Sequence, residues 1–233
     1  PATHQIERGT HRCAGHHAEG VPAGVLHHPP RLDECLAAGT QLFQSLDLRL
    51  HVVRLDIELE MGAIVGVPSE GPITVQEADD NIFGYVLLND WSARDIQAWE
   101  YQPLGPFQAK ATATTVSPWI VTRAALEPFR CNTPAREKEL LPHLRDNGPM
   151  LYDIDLAVTL APKGKAASTV AETNYNVMYY SAAQQLAHHT TSGCPMNPGD
   201  LLGTGTLTGD TPDSVGSLLE ITNGGKETLT LPN

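Results

Sequence analysis

The stretch RLDIELEMGAIVGV, Arg54 to Val67, decides how this chain is read. It alternates polar and apolar residues with a period of two, the pattern of a half-buried β-strand. Asp56, Glu58 and Glu60 fall on one side, and Leu55, Ile57, Leu59 and Met61 on the other. Same-side neighbours stand roughly 7 Å apart, so three carboxylates in a row repel one another unless water, protons or a cation answer them. Oxygen-only ligands suit hard ions such as Mg²⁺ or Ca²⁺. Taken alone, the alternation favours a solvated acidic face over a cation site.

Downstream, Thr74 and Glu77 have capping-box spacing, which predicts a short helix closed by Gly84. YVLL reads as a buried strand. NDWSARDIQAWEY reads as a helix that Asp90 or Ser92 can cap. On that helix Asp90, Arg94, Gln97 and Tyr101 are spaced 4, 3 and 4 and share one face. Such a stripe either holds a polar ligand or is simply solvated. TVSPWIVT, LYDIDLAVTLAP and LLEITN read as strands. NVMYYSAAQQLAHH reads as a helix with Met178, Ala182 and Leu186 on its apolar face, and His188 and His189 ending it suit capping or packing better than catalysis. PGDLLGTGTLTG is a short strand entering a Gly/Thr loop, and NGGKETLTL reads as a hairpin. Residues 54–233 thus form a β-rich α+β domain, while residues 1–53 are irregular and histidine-rich. His11, Cys13, His16 and His17 in that segment fit no zinc pattern.

The chain has 233 residues, a hydrophobic content of 41% and a net charge of −12. That is enough apolar matter for a core, and the acidity argues against nucleic acid or an anionic membrane as partner. No apolar run approaches the ~20 residues that cross a bilayer, and the opening residues lack the apolar core of a signal peptide. Cys13, Cys35, Cys131 and Cys194 form no CxxC pair, which suggests free thiols and a cytoplasmic protein. Two further places carry chemistry. Lys110 follows a Pro-Leu-Gly-Pro turn and precedes Thr114 and Thr115; a lysine there can stabilise an oxyanion, although a Thr-rich strand is the plainer reading. Gly205 and Thr206 offer a backbone that a carboxylate can approach closely.

RLDIELEMG, IFGYVLLNDWSARDIQAWEYQPLGPF, TTVSPWIV, QQLAHHTTSGC, PGDLLGTGT and GSLLEI together resemble the fumarylacetoacetate hydrolase family, in the family's order. The resemblance runs from about Arg54 to the C-terminus. It implies a mixed β-sandwich roll, a cytoplasmic homodimer, and metal-dependent hydrolysis of the carbon–carbon bond of 4-fumarylacetoacetate to fumarate and acetoacetate in tyrosine catabolism. By the same resemblance Glu58, Glu60 and Asp90 are ligands of Mg²⁺ or Ca²⁺, with Lys110 and Thr114 beside the ion. Lys110 also stabilises the departing carbanion, Arg94 organises the charged site, and Gln97, Tyr101 and Thr206 bind the substrate's oxygens. A relative on the same fold that cleaves acylpyruvates, or that decarboxylates or hydrates diacids, is the second reading. The third is an inactive fragment.

The chain also departs from the family. No residue can be assigned the water-activating histidine, the glutamate that orders it, or the remaining metal aspartate. His51 has the wrong strand parity for the base. The family's small N-terminal barrel has no counterpart in residues 1–53, which read as a shifted frame or a divergent region, and the family's last strand is not matched. The chain therefore reads as a fragment with little or no hydrolase activity.

Overall fold

The computed structural model describes residues 54–231, and the readings that fall on residues 1–53 lie outside it. The alternating stretch forms two strands, β1 (Leu55–Asp56) and β2 (Leu59–Val65), with Glu58 between them making a bridge to Ser217. Both lie along β3 (Ile82–Ala93), a strand of 12 residues. Leu55 stands opposite Ala93 and Leu59 opposite Asn89, so the register continues across the break. The far edge of β3 takes β4 (Ala113–Val116) and β5 (Val121–Thr122), while β10 (Leu201–Gly203) extends the sheet beyond β2. Two small ladders stand apart, β6 (Arg130–Cys131) with β7 (Leu151–Tyr152) and β8 (Asp155–Leu160) with β9 (Ser168–Asn174). Every ladder among the described residues is antiparallel. The strand-rich α+β class stands.

Helix α1 (Val75–Asn81) carries the capping box in full, with Thr74 Oγ1 accepting from Glu77 N–H and the Glu77 carboxylate accepting from Thr74 N–H. It ends at Asn81, not at Gly84. Gly84 is already in β3, where a Cβ would stand 2.5 Å from the Val121 carbonyl oxygen. A short helix, α3 (Arg123–Leu126), follows β5, and helix α4 (Ala182–Thr190) starts at a second capping box, Ser181 with Gln184, so Met178 precedes it. Ala182, Ala183, Leu186 and Ala187 pack with Val75 and Ala78 of α1 against Met61, Ala63, Val65 and Tyr85 of the sheet. In β2 and β3 these core residues are the odd-numbered ones, so the even-numbered ones face away from the helices.

Three strand readings are corrected. TVSPWIVT splits into β4 and β5 around a turn in which Ser117 N–H donates to the Leu87 carbonyl and Trp119 N–H to Ser117 Oγ. LYDIDLAVTLAP splits into β7 and β8. LLEITN is not a strand: Leu218–Ile221 form a helix, α5, whose Glu220 N–H bonds to Ser217 Oγ. The expected hairpin at Asn223–Gly225 is that helix's stop. Gly224 has φ of +73° and its N–H reaches back to the Leu219 carbonyl, a glycine termination, and no strand follows it among the described residues.

Candidate metal and substrate site

Register carries the chemistry to the sheet face away from the helices. Asp56 pairs with Ser92, Glu60 with Leu88 and Asp90 with Thr114, so these side chains share one face with Glu58. The carboxylates of Glu58, Glu60 and Asp90 converge, with one oxygen of each within 4.8 Å of the others. The solvated acidic face is overturned, since Asp56, Glu58 and Glu60 are only 4%, 9% and 4% exposed. Charges that close and that buried need answering.

Lys110 supplies part of the answer. Its Nζ lies 2.5 Å from Glu58 Oε2 and 3.3 Å from Asp90 Oδ2, and it donates to Ser92 Oγ at 2.7 Å. The loop before it is pinned by Glu100, which accepts from the N–H groups of Phe107, Gln108 and Ala109 at 2.7, 3.2 and 2.8 Å. The Ala109 carbonyl in turn accepts from Ala93 N–H. Arg94 reaches Glu58 Oε1 with Nη1 at 2.9 Å. Burial pushes the Glu58 carboxyl up, but the hydrogen bond and charge of Lys110, with Arg94, outweigh it and hold the pKa below the usual range. Among the described residues Glu60 forms no ion pair, and the charge of Lys110 lowers its pKa only weakly. Burial, with the charges of Asp90 and Glu58, raises its pKa to about 7 against the hydrogen bond from Gly205 N–H at 3.1 Å.

The polar stripe is rearranged. Helix α2 (Arg94–Glu100) starts after Asp90 and Ser92, both of which are in β3, and Ala93 at its N-cap makes no side-chain bond. Neither residue caps the helix, because both are committed to the sheet. Arg94 Nη1 donates to Gln97 Oε1 at 2.8 Å. Arg94, Gln97 and Tyr101 line a cleft of about 570 Å³ with Asp56 and Leu218. Thr114 stands across β3 from Asp90. Thr206 lies in the loop stitched to β2 by Thr204 and Leu207, next to Gly205, with its methyl against Gly216. The structure thus gathers Glu58, Glu60, Asp90, Lys110 and Arg94, aligns Thr114 beside them, and sets Gln97 and Tyr101 in the adjoining cleft. The roles of Ser92 and Glu100 escaped the sequence. The sequence offers Ser92 only as a helix cap, and nothing local signals that Glu100 holds three amides of a following loop.

The sequence matches the family "Fumarylacetoacetate (FAA) hydrolase C-terminal" over residues 34–229. The chain belongs to that family. The match begins upstream of Arg54. Among similar proteins, a fumarylacetoacetase of Arabidopsis thaliana is 54% identical over 181 residues, 76% of this chain and 43% of that protein. A fumarylacetoacetase of Homo sapiens is 46% identical over 182 residues, 77% of this chain and 43% of that protein. This family member thus spans less than half the length of the curated relatives it matches. A crystal structure of Cg1458 with an inhibitor aligns with a TM-score of 0.51 at 18% identity, covering 72% of this chain and 50% of that one, and shares the fold.

The gathered residues fit a divalent cation. The donor set is all carboxylate oxygen, as a hard ion requires, and oxygens within 4.8 Å of one another are close enough to share an ion bound at about 2.3–2.6 Å. A glycine leaves room for the set: a Cβ on Gly203 would stand 2.6 Å from Glu60 Oε2. Among the described residues no helix is long and apolar enough to cross a membrane, and Cys131 and Cys194 are free thiols.

Proposed function

We propose that this chain carries the cation- and substrate-holding part of a fumarylacetoacetase, cleaving the carbon–carbon bond of 4-fumarylacetoacetate to fumarate and acetoacetate. The observation that carries the reading is the convergence of Glu58, Glu60 and Asp90 around Lys110 on a chain about half identical to fumarylacetoacetases. Mg²⁺ or Ca²⁺ is the ion that three carboxylates favour. When bound, it supplies Lewis acidity toward the diketone oxygens. Thr114 flanks the ligand Asp90. Lys110 takes the negative charge of the departing carbanion; its nearness to Glu58 and Asp90, which puts an ammonium beside the cation's carboxylates, supports this role. Arg94 keeps Glu58 in place. Gln97 and Tyr101 in the cleft, and Thr206 beside the Glu60 anchor, bind the substrate's oxygens. The cytoplasmic location, the homodimer and a place in tyrosine catabolism belong to the same reading.

The proton-transfer pair and one metal aspartate have no assigned residue, and loss of general acid–base catalysis costs about 10²–10⁴-fold. The purified chain should bind fumarylacetoacetate in a cation-dependent way and consume it slowly, followed by absorbance loss beside an acylpyruvate. Preference for the acylpyruvate would favour the related diketo-acid enzymes instead. Turnover as fast as that of a full-length fumarylacetoacetase would overturn the incomplete-machinery part of the proposal.

A further inference from the structure

One carboxylate of the acidic strand has no role in this reading. Asp56 lies on the same sheet face as the three gathered carboxylates and is as buried as Glu60. It does not join them. Both of its oxygens are already engaged. Oδ1 accepts from the N–H groups of Ile57 and Leu218, each at 2.8 Å. Oδ2 accepts from Leu219 N–H at 3.0 Å and from Arg94, with Nε and Nη2 both at 2.8 Å. The opposite side of the same guanidinium, Nη1, holds Glu58 Oε1 at 2.9 Å and Gln97 Oε1 at 2.8 Å.

We infer that Asp56 is a positioning residue: it locks the Arg94 guanidinium so that only Nη1 meets Glu58, leaving the Glu58 carboxylate aimed at Glu60 and Asp90. The inference rests on reading those three carboxylates as cation ligands. An arginine fork prefers two parallel bonds to a single carboxylate. With its Nε–Nη2 edge committed to Asp56, Arg94 contacts Glu58 through one nitrogen. Released from Asp56, it can turn that edge onto Glu58, take both oxygens and compete with a cation for them. Asp56 also fastens the start of α5 to the sheet, so the cleft wall and the ligand share one anchor.

The test is calorimetric titration of the 233-residue chain with Mg²⁺ or Ca²⁺, with thermal unfolding measured on the same samples. Asp56→Asn keeps the size of the side chain but removes its charge and one acceptor. Loss of the groups that orient metal ligands costs about 10–100-fold in affinity, and about tenfold is expected here. Arg94→Lys, which keeps the charge and loses the fork, should weaken the cation to a similar degree. The double variant should be little worse than either single one, because both remove one link. Ser217→Ala loosens the α5 cap without touching Arg94. It should lower the melting temperature and leave cation affinity unchanged. Wild-type affinity in Asp56→Asn, fully multiplicative losses in the double variant, or an equal loss in Ser217→Ala would overturn the inference while the cation site stands. If the wild-type chain itself gives no cation response that Glu60→Gln removes, the site reading falls and the inference with it.

Discussion

Glu60 makes cation binding depend on pH in a way that can be worked out beforehand. Its carboxyl is raised to about 7, while that of Glu58 is held low. Below neutrality a cation must therefore displace a proton from Glu60. At pH 5.5 about 3% of Glu60 is ionised and at pH 8 about 90%, so affinity should rise about thirtyfold over that span, or about 2 kcal/mol. Glu58 titrates below this window and adds nothing to the slope. Titration calorimetry with Mg²⁺ or Ca²⁺ at pH 5.5, 6.5 and 8, in two buffers of different ionisation enthalpy, reads both affinity and proton release. About one proton should leave per cation at pH 5.5 and nearly none at pH 8. Glu60→Gln should bind weakly and without this slope. A flat wild-type profile would refute the reasoning, as would an unchanged slope in Glu60→Gln. The sign without a cation is the reverse of the usual carboxylate case. The folded state keeps the Glu60 proton longer than the unfolded chain, so stability falls as pH rises from about 4.5 to 7, by at most about 3 kcal/mol.

Lys110→Met should destabilise the cation-free protein by about 1–3 kcal/mol, because Glu58 and Asp90 lose their shared partner, and excess Ca²⁺ should restore much of the loss in a melting curve. Gly203→Ala should weaken cation binding more than it lowers the melting temperature, since its Cβ would stand 2.6 Å from Glu60 Oε2 and displace that ligand; equal affinity by calorimetry would count against the geometry. Glu100→Gln should speed amide exchange at Phe107, Gln108 and Ala109 while leaving the core amides of α4 protected.

What could be read from the sequence was what local geometry decides. The Thr74–Glu77 box lies within one helical turn, and the parity of Asp56, Glu58 and Glu60 follows from strand pleat alone. The burial of those acids was not legible, because the groups that answer Asp56 and Glu58 arrive from distant Lys110 and Arg94, and Glu60 takes its hydrogen bond from distant Gly205. Nor could parity separate Asp56 from its neighbours; its different fate depends on Leu218 and Leu219, far along the chain. LLEITN misled because a short apolar run has no clear period. Only the Ser217 cap and the Gly224 stop decide for helix there. Asp90 misleads for another reason: β3 runs to Ala93 and carries it past the point where the sequence pattern starts a helix. The stripe divides into a carboxylate on a strand and three cleft residues, Arg94 and Gln97 on α2 and Tyr101 at its C-cap.

The most direct test is a crystal of this chain grown with Ca²⁺ and examined by anomalous scattering. The account predicts a peak about 2.3–2.6 Å from carboxylate oxygens of Glu58, Glu60 and Asp90, lost in Asp90→Asn. No peak among these three residues at saturating Ca²⁺, or one bound instead by Asp56, would contradict it.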